Sequence, residues 1–197
     1  MSNEKSFSAA RYPFRLELSG GFLLLISLTG FLCGGEVLCA AGLAAAVHEL
    51  GHLAVILGQG SLPRRLILDI SGACLDCRGP EPGVRQELLR ALAGPVMGLI
   101  LWRFLRDSPS GLLNLTSGMS LMLSLVNLMP APGLDGYRIL NCLLAEITEE
   151  RSREMLFRWL GFPAALLTMI LGMIRSPQLF LYGLWLFLRQ IRIFLRD

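Results

Sequence analysis

Six apolar runs fill most of the chain, at about 20–33, 37–57, 88–105, 111–129, 155–174 and 178–194. Nothing else in the sequence constrains the fold as strongly. About 20 apolar residues in a helix cross a bilayer, and a helix satisfies its own backbone amides where no water can reach them. Composition agrees: hydrophobic residues make up 53% of the chain and charged residues 17%, against about a quarter charged in a soluble domain. The expected fold class is an all-α polytopic membrane protein of about six transmembrane helices, built as a single domain over residues 1–197.

The first run is short for a span and is expected to borrow from 14–18, while Pro95 inside the third implies a kink or a broken helix. Arg11 and Arg15 ahead of the first run raise the question of a signal peptide. Cleavage within 40–46 would leave His48 at a frayed terminus, so an uncleaved first span is expected. With the N-terminus in the cytoplasm, Lys5, Arg11, Arg15, Arg64, Arg65, Arg78, Arg85, Arg138, Arg151, Arg153, Arg192 and Arg196 fall inside, and Arg103, Arg106 and Arg175 outside. That asymmetry follows the positive-inside rule and puts both termini in the cytoplasm, with a bacterial cytoplasmic membrane the expected location. Net charge is +3 and the basic residues are scattered between runs, which argues against a nucleic-acid partner.

Inside the second run lies His48-Glu49-Leu50-Gly51-His52, which uses both histidines of the chain. Positions i and i+4 share a helix face, so His48 and His52 can grip one metal with Glu49 beside it. Ionisable groups at this depth are expensive to keep without a use. A catalytic zinc takes three protein ligands and leaves a fourth position open; with no histidine left, the third must be Asp, Glu or Cys. Asp135 leads, because Pro130 and Pro132 stiffen the backbone ahead of it and the flanking Gly133 and Gly136 permit close approach. Glu49 would then be the general base, taking a proton from water activated by the one Zn2+ ion and passing it to the leaving amine. In the expected topology the second and fourth runs both end at the cytoplasmic face, so His48 and the loop after Asn127 can meet.

Residues 61–83 read as a cytoplasmic connector or as a short strand or hairpin centred on Leu66, Leu68 and Ile70. Residues 136–154 read as an amphipathic helix on the membrane surface. Cys33, Cys39, Cys74, Cys77 and Cys142 form no disulfide framework. The lone CxxC of Cys74 and Cys77 reads as two small residues in a turn.

The HELGH helix, Ala93-Gly94-Pro95 and the stretch from Asn127 to Gly136 together resemble the site-2 protease family of intramembrane zinc metalloproteases. The resemblance implies His48, His52 and Asp135 as zinc ligands and Glu49 as catalytic base. It implies that Asn127, Pro130 and Pro132, with Gly94 and Pro95, shape a cleft. It also implies a membrane-associated hairpin whose edge, near Leu66, Leu68 and Ile70, pairs with an unwound substrate. The expected partner is then a single-span membrane protein in the bilayer, such as a membrane-tethered transcription factor, with a regulatory membrane protein as a further partner. Where the family pattern often has asparagine, three residues after Pro95, this chain has Gly98. With no appended PDZ or CBS domain expected, the plan is most similar to the compact branch containing the sporulation protease. The competing readings are a metal transporter, a non-catalytic membrane-protein-binding relative, and a soluble zincin. A protease of the prenyl-protein-processing kind would use a glutamate as third ligand, at Glu146, Glu149 or Glu150.

Overall fold

A computed structural model describes residues 15–69, 72–78, 81–175 and 177–195; Lys5, Arg11, Ile70 and Arg196, which entered the expectations above, lie outside them. The element order is β1 (Arg15–Leu18), α1 (Gly20–Cys33), α2 (Gly35–Gly58), β2 (Leu62–Asp69), β3 (Gly72–Arg78), α3 (Val84–Leu105), α4 (Gly111–Asn127), α5 (Asp135–Leu144), α6 (Glu150–Arg175) and α7 (Pro177–Phe194). Each apolar run is a helix. Three of them, α2, α3 and α6 over 150–174, are long and apolar enough to cross a membrane by length and composition. Helices α1, α4 and α7 are shorter, at 14, 17 and 18 residues.

Local chemistry explains the joints. Gly34 has φ +82°, a conformation glycine adopts freely, and there α1 passes directly into α2. Ser19 caps α1 by accepting a hydrogen bond from the Phe22 amide at 3.1 Å. Helix α3 continues through Pro95 instead of breaking there. It also begins earlier than the apolar run, because the turn carrying Arg85 and Glu87 is helical although polar. The stretch 136–154 is not one surface helix. It divides into α5, which buries Asp135, Gly136 and Cys142, and the first turn of α6.

The sheet has the order β1-β2-β3. Strand β2 pairs antiparallel with β3 and parallel with β1, in the registers Leu66↔Leu75 and Leu66↔Leu16. Two expectations are corrected. Residues 15–18 do not extend α1: the alternation Arg-Leu-Glu-Leu has the period of a strand, and β1 takes it up. Leu66 and Leu68 do not lie on a free edge, since β2 is the central strand with its backbone engaged on both sides. Glu17 pairs with Arg65, and Ser19 donates to Asp69 at 2.6 Å, so side chains also fasten β1 to β2.

Small residues let α2, α3 and α4 approach closely, as membrane helices do when apolar surface alone gives no drive to associate. Ala40, Ala44 and Gly51 of α2, Ala91, Gly94 and Gly98 of α3, and Ser117, Ser120 and Ser124 of α4 are all buried. A Cβ on Gly51 would stand 2.6 Å from the Ala93 carbonyl oxygen. The serines bond to backbone: Ser120 donates to the Gly98 carbonyl at 2.8 Å and Ser117 to that of Trp102 at 3.1 Å. Helices α6 and α7 pack on each other, and Ala164, Ala165 and Leu186 close over Ala131 and Leu134 of the loop before α5. Large apolar side chains such as Phe31, Phe104 and Met173 face outward, about four-fifths exposed.

Candidate metal centre

One face of α2 carries His48 and His52, with ring centroids 4.8 Å apart. Two other elements meet that face. Helix α3 presents Gly94, where a Cβ would stand 2.2 Å from His52 Nε2 and 2.7 Å from His48 Nε2. Helix α5 presents its first residue, Asp135. The turn from α4 to α5 is tight enough that a Cβ on Gly136 would meet the Leu128 carbonyl oxygen at 2.2 Å. Gly136 thus allows the end of α4 to lie close against the start of α5.

Asp135 Oδ2 lies 3.2 Å from His48 Nε2 and 3.2 Å from His52 Nε2, and the two Nε2 atoms are 3.2 Å apart. Two ligands ~2.05 Å from a tetrahedral ion stand ~3.3 Å apart, so this triangle has the size of one face of a zinc coordination shell. Proton counting agrees. His52 Nδ1 is 2.7 Å from the Arg90 carbonyl oxygen, a pure acceptor, so it donates there and leaves the Nε2 lone pair facing Asp135 in the neutral ring. Two lone-pair atoms and one further imidazole nitrogen then converge, and a single proton on His48 Nε2 cannot serve both neighbours. A bound cation serves all three. The donor set of two imidazoles and a carboxylate therefore fits zinc.

Burial by itself would push the Asp135 carboxyl up, but the hydrogen bonds of His48 and His52 outweigh it and hold the group down at about 2. Glu49 follows His48 on α2 and is half-buried, close enough for charges on both histidines, Asp135 and Arg138 to act on it. It is not one of the converging ligands. Among the described residues the group His48, His52 and Asp135 is the one that could hold a metal, and Glu146, Glu149 and Glu150 do not join it. Cys74 and Cys77 alternate between exposed and half-buried along β3, so they turn to opposite faces of the strand and cannot grip one ion together.

The cleft residues are placed less uniformly. Gly94 and Pro95 are buried, Gly94 directly against the histidines. Pro130 and Pro132 are half-buried in the loop that delivers Asp135. Asn127 ends α4, and its amide donates back to the Leu123 carbonyl at 3.0 Å. Three contributors were not foreseen. Arg90 offers its carbonyl to His52 while its guanidinium bonds Gln59 at 2.6 Å and Ser61 at 2.7 Å. Arg138 links Glu87 to Asp135. These contacts join residues 29 to 51 apart, apart from the i,i+3 step to Asp135, and no local motif signals them.

No protein-family model matches the chain. It is 28% identical over 157 residues to a candidate zinc metalloprotease of Synechocystis sp., a match covering 75% of this chain and 38% of that protein. It is 30% identical over 141 residues to a zinc metalloprotease of Methanocaldococcus jannaschii, covering 66% of this chain and 41% of that protein. The chain thus spans about two fifths of the length of these relatives. Among solved structures it is similar to a site-2 protease from Methanocaldococcus jannaschii, with a TM-score of 0.66 and 24% identity over 90% of this chain and 89% of that one. That likeness establishes the fold.

Proposed function

We propose that the chain is a member of the site-2 protease family and acts as an intramembrane zinc metalloprotease. It hydrolyses a peptide bond within or next to a transmembrane segment of a membrane protein, near the cytoplasmic face. The observation that carries this reading is the triangle of His48 Nε2, His52 Nε2 and Asp135 Oδ2, 3.2 Å on each side, with Glu49 beside it on a helix long and apolar enough to cross a membrane.

A zinc ion bound by His48, His52 and Asp135 would polarise the scissile carbonyl and acidify water. The chain's own residues do the rest. Glu49 receives the proton released by the attacking water and delivers it to the departing amine nitrogen. Asp135 stays ionised and supplies the charge that offsets the cation. The Arg90 carbonyl fixes the tautomer and orientation of His52. Gly94 keeps the space in front of both imidazoles free of side chain.

All six apolar helices cross the membrane in this reading, with both termini cytoplasmic. At 1.5 Å per residue α1 and α4 rise only ~21 and ~26 Å, so they cross where the bilayer thins or its polar boundary dips toward the site. A transmembrane substrate hides its amides in its own helix and must unwind to be cut. An edge strand can hold it extended. Since β2 is central, the edges on offer are those of β1 and β3, and the β3 edge is the one assigned to substrate here.

The test is to reconstitute the chain in liposomes with single-span reporter proteins and locate cuts by mass spectrometry. Cuts within or beside the span, abolished by a zinc chelator and restored by zinc, support the reading. Uptake of zinc into the liposomes without any cut would instead make the chain a transporter.

A further inference from the structure

The two oxygens of Asp135 do different things. Oδ2 faces both histidines at 3.2 Å, while Oδ1 lies 3.5 Å from Arg138 Nη1. Arg138 stands one turn further along α5. Its Nε and Nη2 both approach Glu87 Oε1 at 2.8 Å, in the first turn of α3. The guanidinium therefore sits between two carboxylates on different helices and spends its better bonds on the one outside the metal centre.

We propose that Glu87 and Arg138 are a positioning pair, setting where the third metal ligand stands and how much of its charge faces the histidines. The proposal rests on the metal-site reading above. Without Glu87, Arg138 keeps one carboxylate already in reach, Asp135 at 3.5 Å. Closer pairing with it would draw the third ligand away from its place. Without Arg138, the Glu87 carboxylate loses the cation that separates it from Asp135, and Oδ1 loses its donor. Ligating carboxylates depend on such outer partners for orientation. Glu87 and Arg138 are about a third exposed, and an ion pair so placed contributes little to folding. Its effect should therefore appear in metal binding and not in the melting temperature.

The experiment uses the full chain in detergent, stripped of metal and titrated with Co2+, following its ligand-field absorption. Glu87→Gln and Arg138→Gln should each weaken Co2+ binding about 10- to 100-fold and change the spectrum, while the metal-free melting temperature stays put. Arg138→Lys should fall in between, because an ammonium is a point charge and cannot serve both carboxylates with a fork. The exchange Glu87→Arg with Arg138→Glu is decisive. It keeps an ion pair between α3 and α5 but places a carboxylate beside Asp135, so Co2+ binding should remain at least as weak as in either single variant. Recovery of wild-type affinity in the exchange would make the pair a plain tie between helices and overturn the proposal. Wild-type affinity in Arg138→Gln would overturn it as well. Failure of the unaltered chain to bind Co2+ would overturn the metal-site reading, and the proposal with it.

Discussion

At the scale of single residues, Gly94 shows how little room the centre leaves. Its missing Cβ would lie 2.2 Å from His52 Nε2 and 2.7 Å from His48 Nε2, inside any allowed contact. Gly94→Ala should therefore lower metal affinity by at least about 10-fold, as disturbing ligand orientation does, and zinc content after equilibrium dialysis measures it. The pH dependence divides by group. At limiting metal, loading should fall on acidification, since protons and metal compete for the same ring nitrogens. Asp135 responds only far into the acid range. Its folded value is depressed from 3.8 to about 2, so its contribution to metal-free stability is present above the ordinary value and lost as pH falls toward 2. A melting series between pH 5 and pH 2 should show the loss only at the acid end (~2–4). The cluster of His48, His52 and Asp135 was legible because two helix-spaced histidines and a glycine-flanked carboxylate advertise themselves locally. Arg90, Glu87 and Arg138 were not, since their value comes from elements that meet only when folded.

At the scale of elements, the α3–α4 contact bears on a departure from the family pattern. Gly98 stands where asparagine is often found, and a Cβ there would lie 2.2 Å from Ser124 Oγ. Helix α4 brings its serine face against this glycine, and Ser120 donates to the Gly98 carbonyl. Gly98→Ala should destabilise the chain by about 1–3 kcal/mol through overpacking. Adding Ser124→Ala, which removes the colliding oxygen, should recover part of that, read from unfolding in mixed micelles. An equal cost of Gly98→Ala with and without Ser124→Ala would show that the collision is not the cause. The helices themselves were legible from apolar runs, and the hairpin from β-branched and apolar residues between Pro63 and Gly72. The third strand was not. Four residues of alternation next to an apolar run look like the start of a helix, and the pairing of Leu16 with Leu66 is a contact between segments 50 residues apart that sequence cannot display. With β1 in place, β2 became central, which moved the proposed substrate edge to β3.

At the scale of the whole molecule, the proposed topology has six crossings, of which three rest on helices shorter than α2, α3 and α6. In a cysteine-free background, a cysteine at Ser108 should be labelled only from the outer side and one at Arg64 only from the cytoplasmic side. Labelling of both from one side would remove α3 as a single crossing between them. The fold, the triangle of His48, His52 and Asp135 and the adjacent Glu49 carboxylate together point to hydrolysis, and the decisive comparison is between the unaltered chain and Glu49→Gln. Reporter cleavage and bound zinc are measured on the same preparations. Glu49→Gln should keep about one zinc per chain, as a non-ligand should, and lose cleavage by at least about 100-fold, the scale of a missing general base. Cleavage that survives at the wild-type rate, with zinc still bound, would contradict this reading.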